Sequence, residues 1–156
     1  MKFRMVDRIF SWQRRRGIRG AKAVSFEEYS LKQAFGGPAH LPETLLMEGL
    51  FQLGNWLVVL SSDFTRMALV VRVGQVRFDE RLRPGERLDM EVTVRRFRDD
   101  AICFDGVARV DGRQIAAGTG CLAVPDDLAR YHDPEDLRVL FSEIYRPQES
   151  GSHATA

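Results

Sequence analysis

Apolar residues run almost all the way round the helical wheel from Pro42 to Leu60, PETLLMEGLFQLGNWLVVL, and a helix that is apolar on every side has to be buried. The exceptions are Glu48, Gln52 and Asn55; spaced i, i+4 and i+7, they form one polar stripe along the rod. Such a stripe is either a set of satisfied core groups or a site. At a rise of about 1.5 Å per residue the segment would be roughly 28 Å long. An ionisable group early in its apolar run, and the lack of about 20 clean apolar residues, set it apart from a membrane span. It reads as a soluble core helix.

Beyond the helix the period falls from 3.6 to 2. Ala68–Phe78 and Arg87–Phe97 predict two long strands joined by a turn at Arg83-Pro84-Gly85-Glu86. In the second, Leu88, Met90, Val92 and Val94 take one face and Asp89, Glu91, Thr93 and Arg95 the other, as in a sheet with one face on a core and one in water. Two more strands are predicted over 101–110 and 114–124, linked by a hairpin at Asp111-Gly112. Upstream, alternation over 3–10 predicts a first strand, Arg14-Arg15-Arg16-Gly17 a basic turn and 18–25 a returning strand. Ser25 followed by Glu28 is a capping-box pattern that predicts a short helix over about 26–33. A Gly/Pro-rich loop, 35–42, then feeds the long helix with Pro42 in its first turn. Past Pro125 the alternation stops, and Leu137, Leu140, Phe141 and Ile144 predict a short helix within 126–145. The expected organisation is one domain over 1–125, a helical extension over 126–146 and a disordered tail over 147–156. Strands that mostly follow one all-apolar helix make an antiparallel sheet curled around it. One such sheet leaves the rod partly uncovered, so edge-to-edge dimerisation is expected.

Composition alters this picture little. A chain of 156 residues with 44% hydrophobic content suits a single domain with a real core. A net charge of +1 gives no reason to invoke nucleic acid, yet 20 of the 23 basic residues are Arg, whose planar fork suits phosphate better than Lys does. Local Arg clusters therefore matter more than the total. Cys103 and Cys121 are too few for a disulfide framework; each sits in a strand-like run, where a small buried thiol is the simplest role and a cytoplasmic setting is expected. The opening MKFRMVDRIF has no uninterrupted apolar run followed by small residues, so neither a signal peptide nor a membrane anchor is expected. No spacing among His40, His132 and His153 resembles a metal site, and no metal or other cofactor is expected.

Three sets of residues carry a family resemblance. The first is Met5-Val6-Asp7-Arg8 with Ala21-Lys22-Ala23-Val24-Ser25. The second is Phe35-Gly36-Gly37 through Pro42, followed by Leu45-Leu46-Met47-Glu48-Gly49-Leu50-Phe51-Gln52. The third is Val76-Arg77-Phe78, Arg83-Pro84-Gly85-Glu86-Arg87-Leu88, Met90-Glu91-Val92-Thr93 and Val107-Ala108-Arg109-Val110-Asp111-Gly112. Over about residues 3–124 the chain thus resembles the hot-dog-fold 3-hydroxyacyl-(acyl-carrier-protein) dehydratases of fatty acid synthesis. The resemblance implies an α+β fold in which an antiparallel sheet wraps one long central helix, about 43–60, and a dimer. It also implies elimination of water from a 3-hydroxyacyl thioester. That reaction needs a base for the proton beside the carbonyl, an acid for the departing hydroxyl and donors for the developing enolate oxygen. In this family a His and a Glu or Asp share the proton work, each from a different subunit of the dimer.

Carried over residue by residue, the resemblance puts Glu48 on the acid's position and Gln52 where it would orient Glu48. The His position, fourteen residues before Glu48, is Ala34. Alanine takes no proton, and losing a general base costs about 10² to 10⁴ in rate. Glu43 stands where the family has a Gly whose N–H points toward the substrate carbonyl; a carboxylate there suits the helix dipole but opposes an enolate. Gly36 replaces a Pro, and Pro38 and Ala39 replace the following pair, leaving Gly37, with Glu43 and Gln52, as the oxyanion and orienting positions. His40, six residues beyond the missing His, is the candidate replacement base, since an imidazole suits proton transfer near neutrality; a locally hydrogen-bonded loop His is the plainer role. Glu48 is either a catalytic acid or a partnered core carboxylate, and Asn55 is structural.

Three functions follow. The chain dehydrates carrier-bound thioesters through an altered site; or it is a non-catalytic subunit that lends Glu48 to the His of an active paralog in a heterodimer; or Glu48 activates water in an acyl thioesterase. Phe51, Trp56 and Phe78 are the expected walls of an acyl tunnel. Arg77, Arg81, Arg83, Arg95 and Arg96 are the expected docking surface for acyl carrier protein, whose phosphopantetheine bears the substrate; a solvated sheet face explains any one of them equally well.

Overall fold

The computed structural model describes residues 3–27 and 37–147. Ala34, most of the helix expected at 26–33, and the tail from 148 onward lie outside the described residues. Among the described residues, seven strands, β1 (Arg8–Gln13), β2 (Gly17–Ala23), β3 (Arg66–Arg72), β4 (Gln75–Phe78), β5 (Arg87–Phe97), β6 (Ile102–Val110) and β7 (Arg113–Asp127), accompany two α-helices, α1 (Glu43–Ser61) and α2 (Pro134–Ile144). The strands form one antiparallel sheet in the order β1-β2-β5-β6-β7-β3, with β4 also pairing β7.

The sheet curls around α1, as the pattern of the two segments requires. Leu46, Leu50, Leu53 and Leu57 of the helix are buried with Ile18, Leu88, Met90, Val92, Ile102 and Phe104 of the inner sheet face; each such side chain contributes about 1.5–3 kcal/mol. Contact is close: a Cβ on Gly106 would lie 3.1 Å from Leu50 Cδ1 and 3.2 Å from Leu50 Cβ. By length and composition α1 could cross a membrane, but here the sheet takes that role and covers it.

Three expected boundaries move, each for a non-local reason. The first strand is β1 at Arg8–Gln13 rather than 3–10: Met5 and Val6 are buried, but the Met5 N–H is taken by the Gln52 side chain instead of a strand. The strand expected over Ala68–Phe78 breaks into β3 and β4 around Gly74, whose N–H reaches Thr119 O and Gly120 O at 3.1 and 3.2 Å. Alternation reports which face a side chain takes and is silent on where a ladder is interrupted. The last strand continues past Pro125 to Asp127. It does so by pairing with β3, where Ala68, Met67 and Arg66 stand opposite Pro125, Asp126 and Asp127, while β6 on the other side starts only at Ile102, opposite Ala123, an edge position where a proline is tolerated.

After β7, α2 starts from Asp133, whose Oδ1 accepts the Glu135 N–H at 2.9 Å, with Pro134 at the first position. Phe141 packs against Trp56 of α1 (6.0 Å between centroids), Phe64 (6.3 Å) and Tyr145 (5.0 Å). Tyr145 bridges to Ile9, and the Arg146 N–H bonds Ile9 O at 2.9 Å. The C-terminal segment is thus strapped across the side of α1 that the sheet leaves open.

Candidate functional site

The polar stripe of α1 resolves into two functions. Gln52 Nε2 donates to Glu48 Oε1 at 2.8 Å and to Phe3 O at 3.3 Å, while its Oε1 accepts the Met5 N–H at 2.8 Å. Because an amide N–H must meet an oxygen, the Met5 bond fixes which way the Gln52 amide faces, and its NH₂ is left to hold Glu48. Glu48, half-buried, is therefore clamped through one oxygen. Its other oxygen makes no hydrogen bond among the described residues. Asn55 serves the scaffold: its Oδ1 accepts the Ala68 N–H at 2.8 Å and ties α1 to β3.

The segment that carries Met5 is itself anchored. Asp7 Oδ2 accepts the Ala23 N–H at 2.8 Å and lies 3.6 Å from the ammonium of buried Lys22. The backbone of Phe3 and Met5 is the part of the site that sequence reasoning missed, and no signal for it existed, since a backbone donor is the same in every residue.

At the helix mouth, Pro42 provides no side-chain cap; the Leu45 N–H bonds Pro42 O at 2.9 Å, and the Glu43 and Thr44 N–H groups, with no bond among the described residues, can meet an oxyanion. Glu43 lies beside them and pairs with Arg81 at 3.3 Å, which offsets the negative charge expected to oppose an enolate. Both side chains are partly exposed, so the offset is modest. The loop from Gly37 approaches through His40, which is 7% exposed with Nδ1 3.4 Å from Pro38 O. Leu41 then bonds Leu82 O at 2.8 Å. The contacts of His40 are with its own loop, and among the described residues no hydrogen bond joins it to Glu48 within the chain.

The expected tunnel residues do not face one cavity of the chain. Phe51 lines a narrow apolar crevice between α1 and the sheet, with Gly54, Val92, Phe97 and Phe104; its free volume of about 10 Å³ suits little more than one water. Trp56 turns away onto Phe141, and Phe78 on β4 is 42% exposed. The docking arginines are divided too. Arg81 sits at the start of α1 beside Glu43, whereas Arg95 and Arg96 flank a hollow shared with Arg98, which also borders Ser61 at the helix end. Eighteen helical residues separate those ends by about 27 Å. Arg77 pairs with Asp79 at 2.6 Å and Arg95 with Asp105. Partial burial pushes the Asp105 carboxyl up, but hydrogen bonds from Arg95 and the Gly120 N–H prevail and hold it below the usual range. On the inner face, burial, with Asp105 nearby, pushes the Cys121 thiol up to about 11.

A curled antiparallel sheet around a helix that presents a clamped carboxylate near an uncapped mouth defines a hot-dog protein of the dehydratase-like class. The family profile described as "FabA-like domain" matches residues 1–119. The chain belongs to that FabA-like family. It is 31% identical over 118 residues to the 3-hydroxyacyl-(acyl-carrier-protein) dehydratase FabZ of Aliarcobacter butzleri, spanning 72% of this chain and 80% of the relative. Against FabZ of Nitratidesulfovibrio vulgaris it is 31% identical over 125 residues, 78% of this chain and 81% of the relative. Among solved structures, the dehydratase heterocomplex ApeI:P of Xenorhabdus doucetiae superposes with a TM-score of 0.63 at 15% identity, covering 87% of this chain and 88% of that one. The thioesterase HI1161 of Haemophilus influenzae gives 0.60 at 12% identity, covering 80% and 81%. At these identities the two structures share the fold alone.

Proposed function

We propose that this chain binds 3-hydroxyacyl thioesters of acyl carrier protein and supplies the acidic half of a dehydratase site, while the base comes from a second hot-dog chain. The observation that carries this reading is the Gln52 clamp on Glu48 in a chain whose family His position is Ala34. In the proposed reaction the partner's His takes the proton beside the thioester carbonyl. The bond from carbon to the 3-hydroxyl breaks, Glu48 gives its proton to the departing hydroxyl, and water and a 2-enoyl thioester result. The enolate oxygen is met by the first N–H groups of α1, with Gly37 in the adjoining loop and Arg81 offsetting Glu43. The elimination is redox-neutral and runs on proton transfers, so its only accessory group is the phosphopantetheine that the carrier brings. Arg77, Arg81 and Arg83 are the proposed docking side chains for that carrier.

Pairing has support in the sheet. β3 ends the strand order and exposes Leu69 and Val71 to 46% and 59%, an apolar edge that invites another strand. ApeI:P is by name a dehydratase heterocomplex, so unlike pairing suits this fold. Against a self-sufficient site stands His40, buried in its own loop.

The test is turnover of a 3-hydroxyacyl-carrier thioester by the purified protein alone, then after co-expression with a dehydratase that has the His. Alone, the rate should be lower by about 10² to 10⁴ than in the mixed dimer, and Glu48→Gln in this chain should remove the mixed-dimer gain. Full turnover by the protein alone would overturn the partner reading; loss of that turnover in His40→Ala would transfer the base role to His40. Release of free thiol would instead identify a thioesterase.

A further inference from the structure

A second charged site lies at the far end of α1. There a hollow of about 220 Å³ is walled by arginines from three separate segments: Arg14 and Arg15 from the β1–β2 turn, Arg66 from the start of β3 and Arg98 from the β5–β6 connection. Asp99 is the one carboxylate among the described residues of its wall. Some arginines elsewhere on the surface are matched by neighbouring acids, as in Arg87–Asp89, Arg113–Glu80 and Arg130–Asp126, and others, such as Arg72 and Arg96, pair with no acid among the described residues; what marks the hollow is that four arginines line one space. In the hollow, Arg14, Arg15 and Arg66 make no ion pair among the described residues, and Arg98 reaches Asp100 only at 3.7 Å. Arg66 donates Nη1 to Asp99 O at 3.0 Å, which fixes its guanidinium while leaving other N–H donors.

The turn is held in place for this arrangement. Arg15 has φ 59, a left-handed conformation that L residues seldom take, and its N–H is bonded at 2.9 Å to Oγ of Ser61, which is 2% exposed. Its guanidinium lies 5.3 Å over the Phe97 ring, so the ring supports the plane and the edge donors remain available. A space lined by four arginines suits a tetrahedral dianion, which accepts from several forks at once, better than a carboxylate, which is satisfied by one. The apolar crevice along α1 adjoins the hollow through Val58, Phe97 and Ile102, but its roughly 10 Å³ excludes an acyl chain. The organic part of a ligand must therefore lie outside.

We propose that this hollow binds the phosphate group of a phosphate ester, at a site separate from Glu48 and independent of the dehydratase reading. The probe is inorganic pyrophosphate, titrated calorimetrically into the full-length protein at low salt. Saturable one-to-one binding is expected, weakened about tenfold by Arg66→Ala and about tenfold by Arg15→Asn. Asparagine tolerates the left-handed turn, and Arg66→Lys keeps the charge without the fork, so a folded variant is available at each position. Arg113→Ala, on a distant ion-paired arginine, should leave binding unchanged. Two further arms separate the sources of phosphate. Binding of a nucleoside diphosphate without sedimentation on phosphatidylglycerol vesicles would identify a soluble ester, and vesicle binding lost in both Arg15→Asn and Arg66→Ala a lipid headgroup. Pyrophosphate binding that does not saturate, or that Arg113→Ala weakens as much as the other two, would overturn the proposal.

Discussion

Gln52→Met is the sharpest test of how the site is built, because it removes every hydrogen bond of Gln52 at nearly constant volume. The Met5 N–H loses its acceptor in a residue that is 0% exposed, which costs about 1–3 kcal/mol. The charge-assisted bond to Glu48 is worth about 1.5–3 kcal/mol, though half-buried Glu48 recovers part of this from water. The new apolar side chain returns roughly 1 kcal/mol through burial. The net expectation is a loss of about 2–3 kcal/mol, or about 5–10 °C in Tm for a domain of this size. Urea unfolding followed by tryptophan fluorescence should show a lower midpoint with an unchanged slope, and the Met5 amide should lose its protection from hydrogen exchange. If the unfolding free energy changes by less than about 0.5 kcal/mol and the Met5 amide stays protected, Gln52 does not join the N-terminal segment to the helix, and the clamp on Glu48 falls with it.

Other outcomes follow from the same geometry. Gly20→Ala should destabilise more than Gly118→Ala in thermal melts, beyond a baseline of about 1–3 kcal/mol for overpacking. The Gly20 Cβ would meet backbone Arg8 O at 2.5 Å, whereas at Gly118 it meets the flexible end of Met47. Iodoacetamide at pH 8 should label half-buried Cys103 in the native protein and spare Cys121, whose thiol is pushed up to about 11; in denaturant both should react, as mass spectrometry will show. Asp105, held below its ordinary 3.8, contributes stability that is present above that value and lost as pH falls through its lower folded value. Urea midpoints of Asp105→Asn should therefore lie below wild type at pH 6 and converge with it on acidification below about pH 4; a constant gap would show that the carboxylate is not the source.

Much of the candidate site was legible because its logic is local. Glu48 and Gln52 are one helical turn apart, so their contact follows from spacing, and Asn55 continues the same stripe but turned out to secure β3. The docking arginines were less legible: all five are strand or turn residues with similar surroundings in sequence, and only the path of the sheet sends Arg81 to the start of α1 and sets Arg95 and Arg96 around a hollow with Arg98. The aromatic residues chosen as tunnel walls share hydrophobicity, which cannot tell a cavity lining from the Trp56 contact with Phe141.

By itself the sequence determined a buried helix with a polar stripe, a sheet with one wet face, and a family site in which the acid is present and the His position is Ala34. These depend on periods of 3.6 and 2 and on fixed spacings, which are properties of neighbouring residues. Tertiary structure alone decided that the Met5 backbone sets the Gln52 amide, that Gly74 splits one expected strand into two, that the C-terminal segment covers Trp56, and that four arginines meet around one hollow. Each of these joins residues far apart in the chain, and such contacts are chosen by how the whole sheet closes on its helix rather than by any local preference.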